Sequence, residues 1–287
     1  MKKFRQMAMK WGKGAAFLAL FGVFAAAAFG QTVRSTIVKN DMSQAEIDRI
    51  VKKFTENERL FREALTNYVF NRSATVQTIG MGGQISGVYR RDSFMTFSSD
   101  GQRFERITYF PVPTLKELSV TPEDLEDLGG INPFALEPKS IGLYNFTYLG
   151  KEKIDELELY VFDVAPKVTP VAKKGVQRVF SGRVWVDDRD LMIVKSKGKA
   201  LPEDKENKYP VVETWRENID GKYWFPAYSA ADEELVFDNG LVVHLRMKVK
   251  YQDYALGRSD IKEVGDEEVY VEPKATPTPA PTPKKPE

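Results

Sequence analysis

The 287-residue chain has no cysteine and a single histidine. The first absence removes disulfides, thiolate metal sites, cysteine nucleophiles and acylation of a cysteine as a lipid anchor. The second leaves His244 alone among alternating polar residues, where a general base or metal ligand would need partners that the sequence does not indicate. Serine-nucleophile motifs, glycine-rich phosphate loops and the HExxH pattern are missing too. No apolar run reaches the roughly 20 residues of a spanning helix. Neither sign of charge dominates: 42 basic residues stand against 41 acidic ones. There is thus no basic domain of the kind that binds nucleic acid.

What is present starts with a cationic segment: Lys2, Lys3, Arg5, Lys10 and Lys13, with no acid among them. An apolar run from Ala15 to Phe29 follows, broken only by Gly22, and Ala28-Phe29-Gly30 supplies small residues where a signal peptidase reads. Residues 1–30 therefore read as an export signal, and the mature chain is expected in the periplasm; the alternative is an uncleaved inner-membrane anchor. Removing residues 1–30 leaves 37 basic and 41 acidic residues, a net charge of −4. An exported chain without disulfides is held by its core alone, which is feasible at this length. Residues 31–42 read as a flexible lead, 43–271 as one domain, and 272–287, rich in Pro, Thr, Ala and Lys, as a disordered tail with local polyproline II character.

Within the domain, Ser43-Gln44-Ala45-Glu46 is a capping box. Ile47, Ile50, Val51, Phe54, Phe61, Leu65 and Tyr68 then form one stripe of a helix of about 20 residues, interrupted by Asn57 and Glu58. Period-two patterning takes over at residues 67–78, 85–97 and 103–110, with Asp100-Gly101 as a hairpin signal. Thr121-Pro122-Glu123-Asp124 has the cap, proline and acids of a short helical insert, stopped by Gly129-Gly130. Further strands are expected at 143–149, 156–165, 178–187, 191–199, 211–217, 223–230, 234–237 and 241–254. Leu157 to Phe162 is apolar on both faces, so that strand must be covered twice. The order predicts an α+β fold, mainly β: a large curled antiparallel sheet, an incomplete β-barrel, with the N-terminal helix and the insert packed in or over its concave face.

Several segments resemble the LolA-like family of periplasmic lipoprotein carriers and outer-membrane lipoprotein-sorting proteins. They are the capped helix running into 67–78, the strand Gly87-Val88-Tyr89-Arg90-Arg91-Asp92-Ser93-Phe94-Met95-Thr96-Phe97, the pair Gly150 to Asp155 with Tyr160 to Lys167, and the hairpin Gly182 to Asp187 with Leu191 to Val194. The resemblance implies an acyl chain in an apolar cavity, no cofactor, no metal and no catalysis. It also implies a latch that holds the helical lid, best matched by Arg91, although Asp92 stands where such carriers often have proline. Phe54, Phe61, Phe94, Phe97, Tyr160, Phe162, Trp185, Trp215 and Trp224 are the candidate cavity lining.

The leading expectation is a monomeric carrier or chaperone for a lipid or the acyl chains of a lipoprotein, with inner- or outer-membrane donor and acceptor proteins as partners. A second reading is an envelope structural or signalling module that holds a protein segment on the sheet. The third is an exported hydrolase. Asp187, Asp188 and Asp190 read as a turn, because the glycine and closing glutamate of a calcium loop are missing. Asp155, Glu156 and Glu158 read as a solvated hairpin. The apolar loop Pro111-Val112-Pro113-Thr114-Leu115 is a candidate contact with a membrane or partner.

Overall fold

The computed structural model describes residues 36–98, 102–121, 124, 136–173, 176, 178–205 and 207–257, all within one compact unit. The helix is α1, Gln44–Leu65. Ser43 caps it as expected, accepting from the Glu46 amide at 3.3 Å. The reciprocal half of the box is not made, because the Glu46 carboxylate turns to Arg49 one turn on, at 2.7 and 2.8 Å.

Ten strands form one antiparallel sheet that is not closed into a barrel. They are β1 (Tyr68–Ile79), β2 (Ile85–Phe97), β3 (Arg103–Tyr109), β4 (Tyr144–Ile154), β5 (Leu157–Pro166), β6 (Val179–Asp187), β7 (Ile193–Leu201), β8 (Val212–Ile219), β9 (Tyr223–Val236) and β10 (Val242–Leu256). Their spatial order is β3-β2-β1-β10-β9-β8-β7-β6-β5-β4. The chain thus builds a three-stranded and a seven-stranded meander, and β1 with β10 joins them. The two strands expected at 223–230 and 234–237 are one continuous β9. A 3-10 turn, Pro138–Leu143, leads into β4. The expected helical insert lies outside the described residues, apart from its cap: Thr121 and Asp124 exchange backbone-to-side-chain hydrogen bonds at 3.0 and 3.1 Å.

α1 lies on one face of the sheet, and its two halves sit on different parts of it. Ile50, Val51 and Phe54 pack with Phe162, Val164, Val184, Val186 and Ile193 of β5–β7. Phe61, Ala64 and Leu65 pack with Phe70, Val76, Tyr89, Val212, Phe225 and Met247 of β1, β2 and β8–β10. A 22-residue helix is about 33 Å long, enough to serve both groups. On the opposite face, Leu159, Val161, Trp185 and Val194 form a separate cluster with Ile37 and Trp224. This explains why β5 is apolar on both sides: Phe162 meets α1 and Val161 meets Trp185. The end of the lead is tied down there, since Val38 pairs with Lys151 on the outer edge of β4, at 2.7 and 2.9 Å.

Candidate functional site

The polar interruption of the α1 stripe becomes a seam between helix and sheet. Glu58 receives both guanidinium nitrogens of Arg216 on β8, at 2.6 and 2.9 Å. The side chains are 1% and 4% exposed, so neither charge has water as an alternative partner. Arg216 also donates to the Ile193 carbonyl at 3.2 Å and lies 4.5 Å above the Phe61 ring. One turn position away, Asn57 donates to the carbonyls of Asp190 and Leu191, at 2.9 Å each. These carbonyls are presented by the β6–β7 turn, where Asp187 accepts from the Arg189 and Asp190 amides. Asp187 and Asp190, the latter accepting from the Met192 amide at 2.8 Å, form the turn, and Asp188 pairs with Lys151 at 2.7 Å. Among the described residues no group of His, Cys, Asp or Glu has the arrangement of a metal site.

A second polar cluster lies beyond the helix, on β1–β3. Glu105 of β3 accepts from Arg91 at 3.0 and 2.6 Å, from Arg72 at 2.7 Å and from Ser93 at 2.5 Å. Burial alone would raise the Glu105 pKa. The Arg91 and Ser93 hydrogen bonds and the charges of both arginines outweigh it and hold the carboxyl at about 2. Arg91 therefore ties β2 to β3, and its guanidinium rests 5.6 Å from the Phe110 ring. The polar contacts of Asn57 and Glu58 that tie the helix to the sheet run to the β6–β7 turn and to Arg216.

On the face that carries α1, a cavity of about 360 Å³ with an apolar floor opens. Its floor is Val76, Ala200, Val212, Leu235 and Leu245, one side chain from each of five strands. Its roof is the loop Glu117–Thr121, which contributes Leu118 and Val120. This loop is set by Thr114, which takes the place that β3 vacates beside β2: its amide donates to the Val88 carbonyl at 2.8 Å and its hydroxyl accepts from the Val88 amide at 2.9 Å. Gly87 permits the approach, because a Cβ there would lie 2.9 Å from the Thr114 carbonyl oxygen. The rim is polar. Arg178 pairs with Asp124 at 3.3 Å and lies 4.6 Å above the Tyr209 ring, and Lys208 pairs with Asp238 at 2.9 Å. A more polar depression continues past Arg178, Asn207 and Tyr209.

The nine expected lining residues are distributed over both faces of the sheet. Phe54 and Phe162 are packed ring to ring under α1, 5.7 Å apart, with Tyr160 at their margin. Phe61 is buried against Phe225. Phe97 lies at the end of β2 against Gly257. Phe94 pairs with the exposed Asn71 across β1–β2 and sits 5.3 Å below the Arg106 guanidinium. Trp185, Trp215 and Trp224 lie on the face away from the helix. None of the nine lines the cavity. Its floor is aliphatic, with Phe237 and Tyr209 as the aromatic residues of its wall. The signal that marks the floor is the run of Val and Leu at inward positions of β1, β8, β9 and β10, where the facing side chains are too short to fill the space. His244 is on the outer face, as its alternation indicates, 2.5 Å from Asp232.

No family model matches the chain, and no curated protein matches it. Solved structures do. A LolA superfamily protein from Nitrosomonas europaea is 12% identical, with 71% of this chain and 94% of that one covered and a TM-score of 0.32. A putative outer membrane lipoprotein-sorting protein domain from Vibrio parahaemolyticus gives 13% identity, 74% and 93% coverage and a TM-score of 0.31. A DUF1329 family protein from Desulfovibrio piger gives 14%, 70%, 94% and 0.32. These likenesses concern the fold, and no residue role is taken from them. Among the described residues no helix is long and apolar enough to cross a membrane.

Proposed function

We propose that the protein is a non-catalytic carrier or chaperone for a lipid or the acyl part of a lipoprotein, working in the periplasm after export. One acyl chain enters the cavity beneath the Glu117–Thr121 loop, and its polar head stays at the rim beside Arg178, Tyr209 and Lys208. The observation that carries this reading is the pairing of an aliphatic floor with a polar, hydrogen-bonding rim in a single cavity of about 360 Å³, within the size range of small-molecule sites. Each methylene taken out of water contributes about 0.8 kcal/mol, so about eight of them supply roughly 6 kcal/mol. That affinity is useful yet releasable. The roof is a loop, and α1 is fastened by a buried ion pair, so loading and release are assigned to the loop and not to the helix.

The test is native mass spectrometry of the protein purified from a periplasm, with lipid extraction of the same sample. A stoichiometric acyl species, lost in Val120→Asp, supports the carrier. A ligand-free protein that also takes up no acyl probe rejects it in favour of a module that binds a protein segment.

A further inference from the structure

The face of the sheet turned away from α1 holds a second feature, independent of the acyl cavity. Strand register places Lys195, Trp215, Tyr228 and Lys250 side by side across β7, β8, β9 and β10. The next row is Lys197, Glu213, Ala230 and Lys248. Direct cross-strand partners share a face and lie about 5 Å apart. Ala230 is short between Glu213 and Lys248, and the depression it leaves widens into a groove of about 610 Å³ beside the Trp215 and Tyr228 rings.

The Trp215 indole is held in place. Its N–H donates to Glu213 at 2.8 Å, and the Lys195 ammonium sits 4.0 Å from its centre while also pairing with Glu213 at 3.1 Å. The same ammonium is 4.7 Å from Trp185, whose own N–H donates to Glu152 at 2.6 Å. A ring fixed from several sides is a preorganised platform. A purely structural face in water needs no such arrangement, and Lys or Thr would serve at Trp215.

The charges around the platform are unequal. In the two rows, the adjoining Asp232–Arg246 pair and the groove wall there are five cations, Lys195, Lys197, Arg246, Lys248 and Lys250, and three carboxylates, Glu213, Asp232 and Glu233. Among the described residues Lys248 and Lys250 form no ion pair, and both are exposed. The ligand that fits is anionic and has a flat, weakly polar face with hydroxyls at its edges. Strands β7 to β10 are each paired on both sides here, so the face offers no open backbone to which a peptide could add as a strand. Ring faces flanked by fixed donors and acceptors instead match a sugar, whose C–H face stacks on an indole while its hydroxyls reach Glu213 and Lys197.

We propose that this outer face binds a carboxylated glycan strand, with a sugar ring on Trp215 and Tyr228 and a carboxylate at Lys248 and Lys250. The experiment titrates the full-length protein with a hyaluronate hexasaccharide and reads tryptophan fluorescence and heat. Chito-hexaose serves as the uncharged comparison and oligoglutamate as the peptide one. Saturable quenching by the hyaluronate oligomer, weaker binding of chito-hexaose, and about tenfold weaker binding by Trp215→Ala support the site. Lys248→Gln with Lys250→Gln removes the preference for the charged oligomer and its salt dependence. Trp215→Phe keeps a ring and retains part of the binding, which controls for misfolding. Unchanged affinity in a folded Trp215→Ala, or oligoglutamate binding as tightly as the hyaluronate oligomer, overturns the proposal. Acyl-probe binding is expected to be the same in all these variants.

Discussion

Gly87 and Gly150 hold open two places where backbone segments meet too closely for a side chain. Gly150 has a φ of +135°, and a Cβ there would run into the Val38 carbonyl. Gly150→Ala is expected to lose about 1–3 kcal/mol in a denaturant melt, with the Val38 and Lys151 amides losing hydrogen-exchange protection first. Glu105 gives a residue-scale pH dependence. Its folded pKa of about 2 is below the usual 4.5, so its contribution is complete above pH 4.5 and is lost as pH falls toward 2. The linkage is worth on the order of 3 kcal/mol. Glu105→Gln is expected to flatten this limb of a stability–pH curve and to lower stability at neutral pH, because Arg72 and Arg91 lose their shared counter-charge. A variant with the wild-type acid limb would show that Glu105 is not what titrates. At this scale the sequence was a partial guide. Arg91 stood out, but its partner 14 residues away on β3 depends on strand register, which alternation alone does not reveal.

At the scale of elements, α1 was the most legible part of the chain, since its stripe is local and its cap is only three residues long. The break in the stripe at Asn57 and Glu58 was visible, but its meaning was not: Arg216 is 158 positions further on. Removing one partner of a buried ion pair costs about 3–5 kcal/mol, whereas replacing both with apolar residues of similar size is often neutral or stabilising. Arg216→Met is therefore expected to melt at clearly lower denaturant, and Glu58→Leu combined with Arg216→Met to recover most of the loss. A double mutant as weak as the single one would contradict the seam. The strands were legible from period two and turn residues. The exceptions follow from continuity: β9 runs through Ala231–Asp232–Glu233 because cross-strand partners on β10 carry it across that polar stretch.

For the molecule as a whole, the wide antiparallel sheet with its helix on one face follows from the order of signals along the chain. The cavity does not. Aromatic residues on period-two strands look alike whichever face they occupy, and large rings such as Phe54 and Phe162 fill the space they face. Space remains where Val, Ala and Leu from five strands meet a loop, so the cavity is marked by what is too small. With an acyl chain proposed there, Val120→Asp, a change in the partly buried roof that packs against the core, is expected to weaken acyl binding about tenfold or more through a carboxylate set against the chain, with only a modest drop in the melting transition.

The most direct test is a fluorescence titration of the full-length protein with an acyl-chain probe, alongside Val120→Asp and Trp215→Ala. The account predicts one saturable site in the wild type and in Trp215→Ala, and loss of that site in a folded Val120→Asp. Equal binding by Val120→Asp, or loss of binding in Trp215→Ala, would place the acyl chain elsewhere and contradict it.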